Sequence, residues 1–95
     1  MKTFKDDLNV AVLTTKFVIR EGEAVRNVFH HSDDGMWEFT GATQGIEDTD
    51  YLVVGLGNMI ELDNTLLQIS DLPLGGKAHR SGINEPWRIG TMDRE

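Results

Sequence analysis

A chain of 95 residues, with 39% hydrophobic and 26% charged residues, has the size and composition of one globular domain and is too apolar for intrinsic disorder. It contains no cysteine, which excludes a disulfide framework, a thiolate metal site and a cysteine nucleophile. The net charge of -7 opposes binding to nucleic acid. We expect a single domain over residues 1–95, with residues 1–8 and 90–95 as flexible ends.

The start of the chain does not resemble a signal peptide, because charged residues stand within Met1 to Leu8 where such a peptide is apolar. No apolar run in the sequence approaches the length that a membrane-spanning helix needs. These two features predict a cytoplasmic protein that does not bind membranes.

Two strands are predicted in the first third of the chain. Asn9–Ile19 is rich in β-branched and aromatic residues and is interrupted at Thr14 and Thr15, which indicates a strand with a kink. Ala24–His31 follows after a turn at Gly22 and is interpreted as the second strand. The simplest interpretation is a strand-turn-strand unit.

A hairpin is predicted next. Ser32–Gly35 contains an Asp-Gly pair, whose side-chain acceptor and permissive φ suit a tight turn between antiparallel strands. In the strand that follows, Trp37 and Phe39 alternate with Glu38 and a threonine. The aromatic face is therefore the one predicted to be buried.

The second half of the chain predicts a loop, a strand and short helices. Gly41–Asp50 lacks periodicity and indicates a loop, whereas Tyr51–Val54 is continuously apolar, which favours a central strand. Leu56, Met59 and Ile60 have helical spacing. Further elements are predicted from capping residues and a proline: a second helical turn after Asp63-Asn64-Thr65 that ends before Pro73, and an edge strand at Pro86–Ile89. Together they predict an α+β fold, with a mostly antiparallel sheet of four to five strands covered by one or two short helices.

The acidic residues are segregated along the chain. No Lys or Arg occurs from Asn27 to Gly76, and this segment carries nine carboxylates, Asp33, Asp34, Glu38, Glu47, Asp48, Asp50, Glu61, Asp63 and Asp71. One interpretation is a solubilising surface with helix caps. The other is an acidic face that binds a basic partner protein, for which the candidate residues are Asp33, Asp34, Glu38, Glu47, Asp48 and Asp50.

An enzyme is the alternative hypothesis. Imidazoles and carboxylates together form metal sites and acid-base pairs, and His30, His31, Asp33 and Asp34 lie close in sequence, with His79 further along. Against this, His30 and His31 are neighbours on a strand and should point to opposite faces. We therefore predict no catalytic residue, no metal and no cofactor.

Three motifs resemble a family of small bacterial domains of unknown function, some of which are associated with immunity proteins of polymorphic toxin systems. These are Thr14–Val18, the Gly-x-Trp-x-Phe-x-Gly pattern of Gly35–Gly41, and Leu62–Thr65 running into Leu72–Gly75. The resemblance covers roughly residues 9 to 80. It departs at Gly76, where the family commonly has an aromatic residue. It implies a compact bacterial α+β domain for which toxin neutralisation is one role.

The leading hypothesis is thus a non-enzymatic interaction module with a basic protein partner, and the alternative is a small hydrolase or metal-dependent enzyme. A third hypothesis is a homodimer that pairs its edge strands, because Asn9–Ile19 shows no edge protection. The sequence leaves monomer and homodimer open.

Overall fold

The computed structural model describes residues 2–92, which form one six-stranded sheet with short helices. The strands are β1 (Ala11–Thr15), β2 (Asn27–His30), β3 (Trp37–Thr40), β4 (Tyr51–Gly55), β5 (Gly76–His79) and β6 (Arg88–Thr91). The helices are α1 (Lys16–Ile19), α2 (Leu56–Leu62) and two 3-10 helices, Asp48–Asp50 and Asn64–Ile69. The predicted α+β class is confirmed.

The sheet has the strand order β4-β1-β3-β2-β5-β6 and is mixed. β1 and β3 are parallel, whereas every other neighbouring pair is antiparallel. The prediction of four to five strands was too low, because β5 was not foreseen. Of the four residues of β5, only Ala78 has an apolar side chain. The strand therefore has little of the β-branched and aromatic character that marks a strand in the sequence.

The first predicted strand is wrong in its second half. Thr15 ends β1 and caps α1, since its hydroxyl oxygen accepts the Val18 N–H at 3.3 Å. This capping contact outweighs the β propensity of the residues that follow. The strand-turn-strand unit is also wrong, because β3 lies between β1 and β2.

The predicted hairpin is confirmed between β2 and β3. Gly35 takes a φ of 75° in the turn, where its N–H donates to the His31 carbonyl at 3.0 Å. The Asp34 carboxylate accepts the Met36 N–H at 2.9 Å. Trp37 and Phe39 of β3 are buried, as the alternation predicted.

Strand β4 is at the edge of the sheet and not at its centre, which corrects the prediction for Tyr51–Val54. Val54 packs against the core, whereas Val53 is 65% exposed. The continuous apolar run therefore does not reflect cover on both faces. A short apolar run has no periodicity that distinguishes a buried strand from an edge strand.

The core lies between one face of the sheet and the helices. Leu56 and Met59 of α2 are fully buried, which confirms the predicted helix, and Leu66 and Ile69 of the second 3-10 helix join them. Phe4, within the predicted flexible N-terminal end, is 6% exposed and packs edge-on against Trp37, with ring centroids 4.9 Å apart. Of the predicted flexible C-terminal end, residues 93–95 lie outside the described residues.

The last two strands extend the sheet on the side opposite β4. β6 is the other edge, close to the edge strand predicted at Pro86–Ile89. Gly76 begins β5, and a Cβ atom there would lie 2.9 Å from the Leu72 side chain and 2.9 Å from the Pro73 carbonyl oxygen. A larger side chain at this position would therefore displace this turn.

Candidate functional site

The buried core residues of the strands share one face of the sheet, and the strand register places a second set of side chains on the opposite face. Val53 is opposite Leu13, Leu13 is beside Glu38, Glu38 is opposite Phe29 and Phe29 is opposite Lys77. We call this surface the open face. Antiparallel and parallel partners in register point to the same side, so these residues form one row across five strands.

Glu38 is the centre of a hydrogen-bonded group on the open face. Its Oε1 lies 2.8 Å from His31 Nε2, and its Oε2 accepts the Tyr51 hydroxyl at 3.3 Å. Burial of the phenol, followed by the Glu38 charge and its hydrogen bond, raises the pKa of Tyr51 above its ordinary value of 10.0, and Asp48 acts in the same direction. Tyr51 therefore lies within the negative potential of both carboxylates.

The first 3-10 helix brings further carboxylates to the same end of β4. Glu47 and Asp50 cap this helix reciprocally, because each side chain accepts the backbone N–H of the other, and the bond from the Glu47 N–H measures 2.9 Å. That hydrogen bond, together with the Lys16 ammonium 3.1 Å away, holds the pKa of Asp50 below its usual 3.8. Glu47 and Asp48 are exposed.

We call Glu38, Glu47, Asp48 and Asp50 the acidic corner. They are four of the six residues that the sequence predicted as a partner-binding surface. Among residues 2–92, the basic side chain that forms an ion pair with this group is Lys16, and its partner is Asp50.

The other two predicted residues, Asp33 and Asp34, lie at the opposite end of the sheet. The turn that contains them joins His30 to Trp37, the last pair of the β2–β3 ladder on that side. Tyr51 pairs with Thr15 at the other end of the strands. The six candidates therefore do not form one surface: Asp33 and Asp34 lie at one end of the strands, Glu38 lies in the row between the two ends, and the other three precede β4 at the far end.

Part of the acidic segment is paired with basic residues from outside it. Asp63 accepts from Arg80 at 2.6 Å, and Asp71 lies 3.3 Å from Lys2. Sequence reasoning missed the burial of Arg80, because a single arginine in a glycine-rich stretch carries no signal of it. The available negative charge is consequently smaller than the sequence total of nine.

The imidazoles of the enzyme hypothesis lie in three different places. His30 stacks on Trp37 with ring centroids 3.8 Å apart, and its Nδ1 lies 2.8 Å from the Leu72 carbonyl oxygen. His31 is on the open face, and His79 Nδ1 is bonded to Asn27 Oδ1 at 2.7 Å. Within residues 2–92, no three His, Asp or Glu side chains are grouped as a metal ion would require.

The basic residues of the open face lie on the side of β5 and β6. Lys77, His79 and Arg88 line a cavity of about 480 Å³ on that side. His79 and Arg88 are a cross-strand pair. On the open face, Glu38 of β3 and the basic side chains of β5 and β6 thus lie on either side of β2.

Comparison of the chain with protein-family models, with curated protein sequences and with solved structures found no match. Within the part of the chain that is described, no helix combines the length and the apolar character that crossing a membrane requires.

Proposed function

We propose that this protein is a non-enzymatic protein-interaction module, of the immunity type, that binds a basic partner protein through its acidic corner. The observation that carries the proposal is the position of Glu47 and Asp48: both are exposed, and both directly precede β4. Glu38 and Asp50 add negative charge behind them.

The internal bonds of the acidic corner support a binding role. Glu38 is fixed by two hydrogen bonds, and Asp50 is fixed by the capping box and by Lys16. Fixed charges lose less side-chain entropy on binding than mobile ones do. The Glu47 carboxylate accepts one backbone N–H, and Glu47 and Asp48 both remain exposed to a partner.

Electrostatic attraction of this kind acts mainly on the association rate. Charged groups steer a partner of opposite sign, and salt weakens the steering because the Debye length falls from about 10 Å at 0.1 M to about 3 Å at 1 M ionic strength. The resemblance to immunity-type domains suggests a toxin as the basic partner, and the genes beside this one supply the candidates.

The test measures association of purified, basic products of the neighbouring genes with the wild type and with a Glu47→Gln/Asp48→Asn double variant. We expect association to slow by about tenfold in the double variant and in about 1 M salt. The matched control is Asp33→Asn/Asp34→Asn, which removes the same charge at the opposite end of the sheet and should leave the rate near that of the wild type. Equal slowing in both variants, or association that does not respond to salt, would contradict the proposal.

A further inference from the structure

Strand β4 leaves one side of its backbone unpaired. The Leu56 N–H donates to the Val10 carbonyl at 2.9 Å, and this bond sets the alternation of the β1–β4 ladder. By that alternation, Leu52 and Val54 bond to β1. Val53 therefore directs its N–H and C=O outward, and the Tyr51 C=O and the Gly55 N–H point the same way. The Tyr51 N–H donates to the Asp48 carbonyl, and no strand within residues 2–92 pairs with this side of β4.

The two edges of the sheet differ in their protection. At β6, Pro86 precedes the strand and Arg88 is its first residue, and both are common means of blocking edge pairing. β4 contains neither a proline nor a charged residue. Its middle residue, Val53, is 65% exposed, so an apolar contact accompanies the free backbone groups.

The charge next to β4 identifies the kind of segment that fits it. Glu47, Asp48 and Asp50 immediately precede the strand, and Glu38 lies behind Tyr51. A strand paired with β4 would have its end residues beside these carboxylates. Lysine or arginine is favoured at those positions, whereas glutamate or aspartate is repelled.

We propose that the partner adds an extended segment to β4 as an additional strand, with basic residues beside Glu47 and Asp48. This inference rests on the proposed function and specifies its binding mode. Backbone hydrogen bonds to the Val53 N–H and C=O, the Tyr51 C=O and the Gly55 N–H supply affinity, and the acidic corner selects the sign of the flanking residues.

A synthetic peptide provides the direct test. The probe is fluorescein-labelled Lys-Lys-Thr-Val-Thr-Val-Thr-Lys-Lys, and its counterpart has glutamate in place of every lysine. Fluorescence anisotropy should show the basic peptide binding at least about tenfold more tightly than the acidic one. Hydrogen exchange of the Val53 amide should slow on binding, because this outward N–H becomes a donor in the new ladder.

Val53→Pro is the decisive variant. Proline removes the outward N–H, and an edge strand tolerates it there because that N–H does not bond to β1. Peptide affinity should be about tenfold lower in Val53→Pro than in Val53→Thr, which also loses the valine side chain but keeps the N–H. Circular dichroism and thermal unfolding establish that both variants are folded. A second test needs no variant: unchanged hydrogen exchange of the Val53 amide in the wild type with bound peptide would refute the added strand.

The outcomes separate the binding mode from the proposed function. If Glu47→Gln/Asp48→Asn weakens peptide binding and Val53→Pro does not, the acidic corner binds the peptide and the added strand is refuted. If Val53→Pro alone matters and salt has no effect, the strand is added but the acidic recognition is refuted. If the protein is itself a dimer that Val53→Pro dissociates, β4 pairs with a second copy and the inference is overturned.

Discussion

The guanidinium of Arg80 donates to the carboxylate of Asp63 at 2.6 Å, and the Arg80 side chain is completely buried. Its other nitrogens donate to Thr65 Oγ1 at 2.8 Å and to the Val25 carbonyl at 3.0 Å, and its face lies 4.2 Å from the centre of the Trp87 ring. Asp63 also accepts the Thr65 N–H at 3.0 Å, so it caps the second 3-10 helix as the sequence predicted. One buried cation thus connects β5, that helix and the segment before β2.

Arg80→Ala should therefore destabilise the protein strongly. It leaves the Asp63 carboxylate without its ion partner, and breaking a buried pair from one side is expected to lower the free energy of unfolding by about 3 to 5 kcal/mol. Urea unfolding measures the change. Arg88→Ala, at an exposed position of β6, is the control and should change stability by less than about 0.5 kcal/mol. A loss of stability in Arg80→Ala as small as that in Arg88→Ala would show that the buried network is unimportant.

Thr14→Val should stabilise the fold. Thr14 is 0% exposed, and its hydroxyl has no hydrogen-bond partner among the described residues. Valine has nearly the same shape and removes the desolvated hydroxyl, so we expect a gain of about 1 kcal/mol in urea unfolding. The same change at exposed Thr91 should have little effect. A loss of stability in Thr14→Val would show that the hydroxyl is bonded in solution.

Tyr51 should titrate above pH 10.0, because its proton is held by burial and by the Glu38 charge. The chain has one tyrosine, so the ultraviolet absorbance of the phenolate reports this group alone. The folded state binds the proton more tightly than the unfolded state does. The stabilising contribution is therefore complete below pH 10.0 and is lost as the pH rises through the raised pKa.

Glu38→Gln is the matched variant for this titration. It removes the negative charge beside the phenol, and the absorbance midpoint should move down towards 10.0. Asp34→Asn removes a charge at the far end of the sheet and should leave the midpoint unchanged. A midpoint that does not respond to Glu38→Gln would mean that Glu38 and Tyr51 are apart in solution.

Gly76→Ala should destabilise the turn before β5. The added methyl group would lie 2.9 Å from both the Leu72 side chain and the Pro73 carbonyl, and relieving such overlap in a packed region costs about 1 to 3 kcal/mol. At Gly82 the corresponding space is free within 4 Å, so Gly82→Ala should be close to neutral. Thermal unfolding of the two variants measures the difference. Equal melting temperatures would refute the steric account.

Local signals in the sequence were sufficient where the structure is local. The Asp-Gly pair at residues 34–35 specified the hairpin, the alternation of Trp37 and Phe39 specified the buried face, and the spacing of Leu56 and Met59 specified α2. The sheet order was not accessible in this way. Pairing of β1 with β3 and β4 is decided by packing between distant segments, and an apolar run such as β4 is compatible with either a central or an edge position.

The candidate site shows the same division. Charge along the chain pointed to Glu47, Asp48 and Asp50, which precede β4 at one end of the sheet, and to Glu38, which the Tyr51 hydroxyl connects to that end. It also pointed to Asp33 and Asp34, which the register of β2 and β3 places at the other end. The ion pair of Asp63 and Arg80 joins residues that are seventeen positions apart in the sequence. No local sequence pattern predicts such a contact.

The position of β1 between β3 and β4 has a consequence for how the protein is made. Both partners of β1 follow it in the sequence, so β1 leaves the ribosome before either is available. The β2–β3 hairpin joins neighbouring segments and can form first, which gives β1 one template to dock on. The other side of β1 stays unpaired until β4 is synthesised. Until then the threonines of β1, which are buried in the complete fold, remain in contact with water.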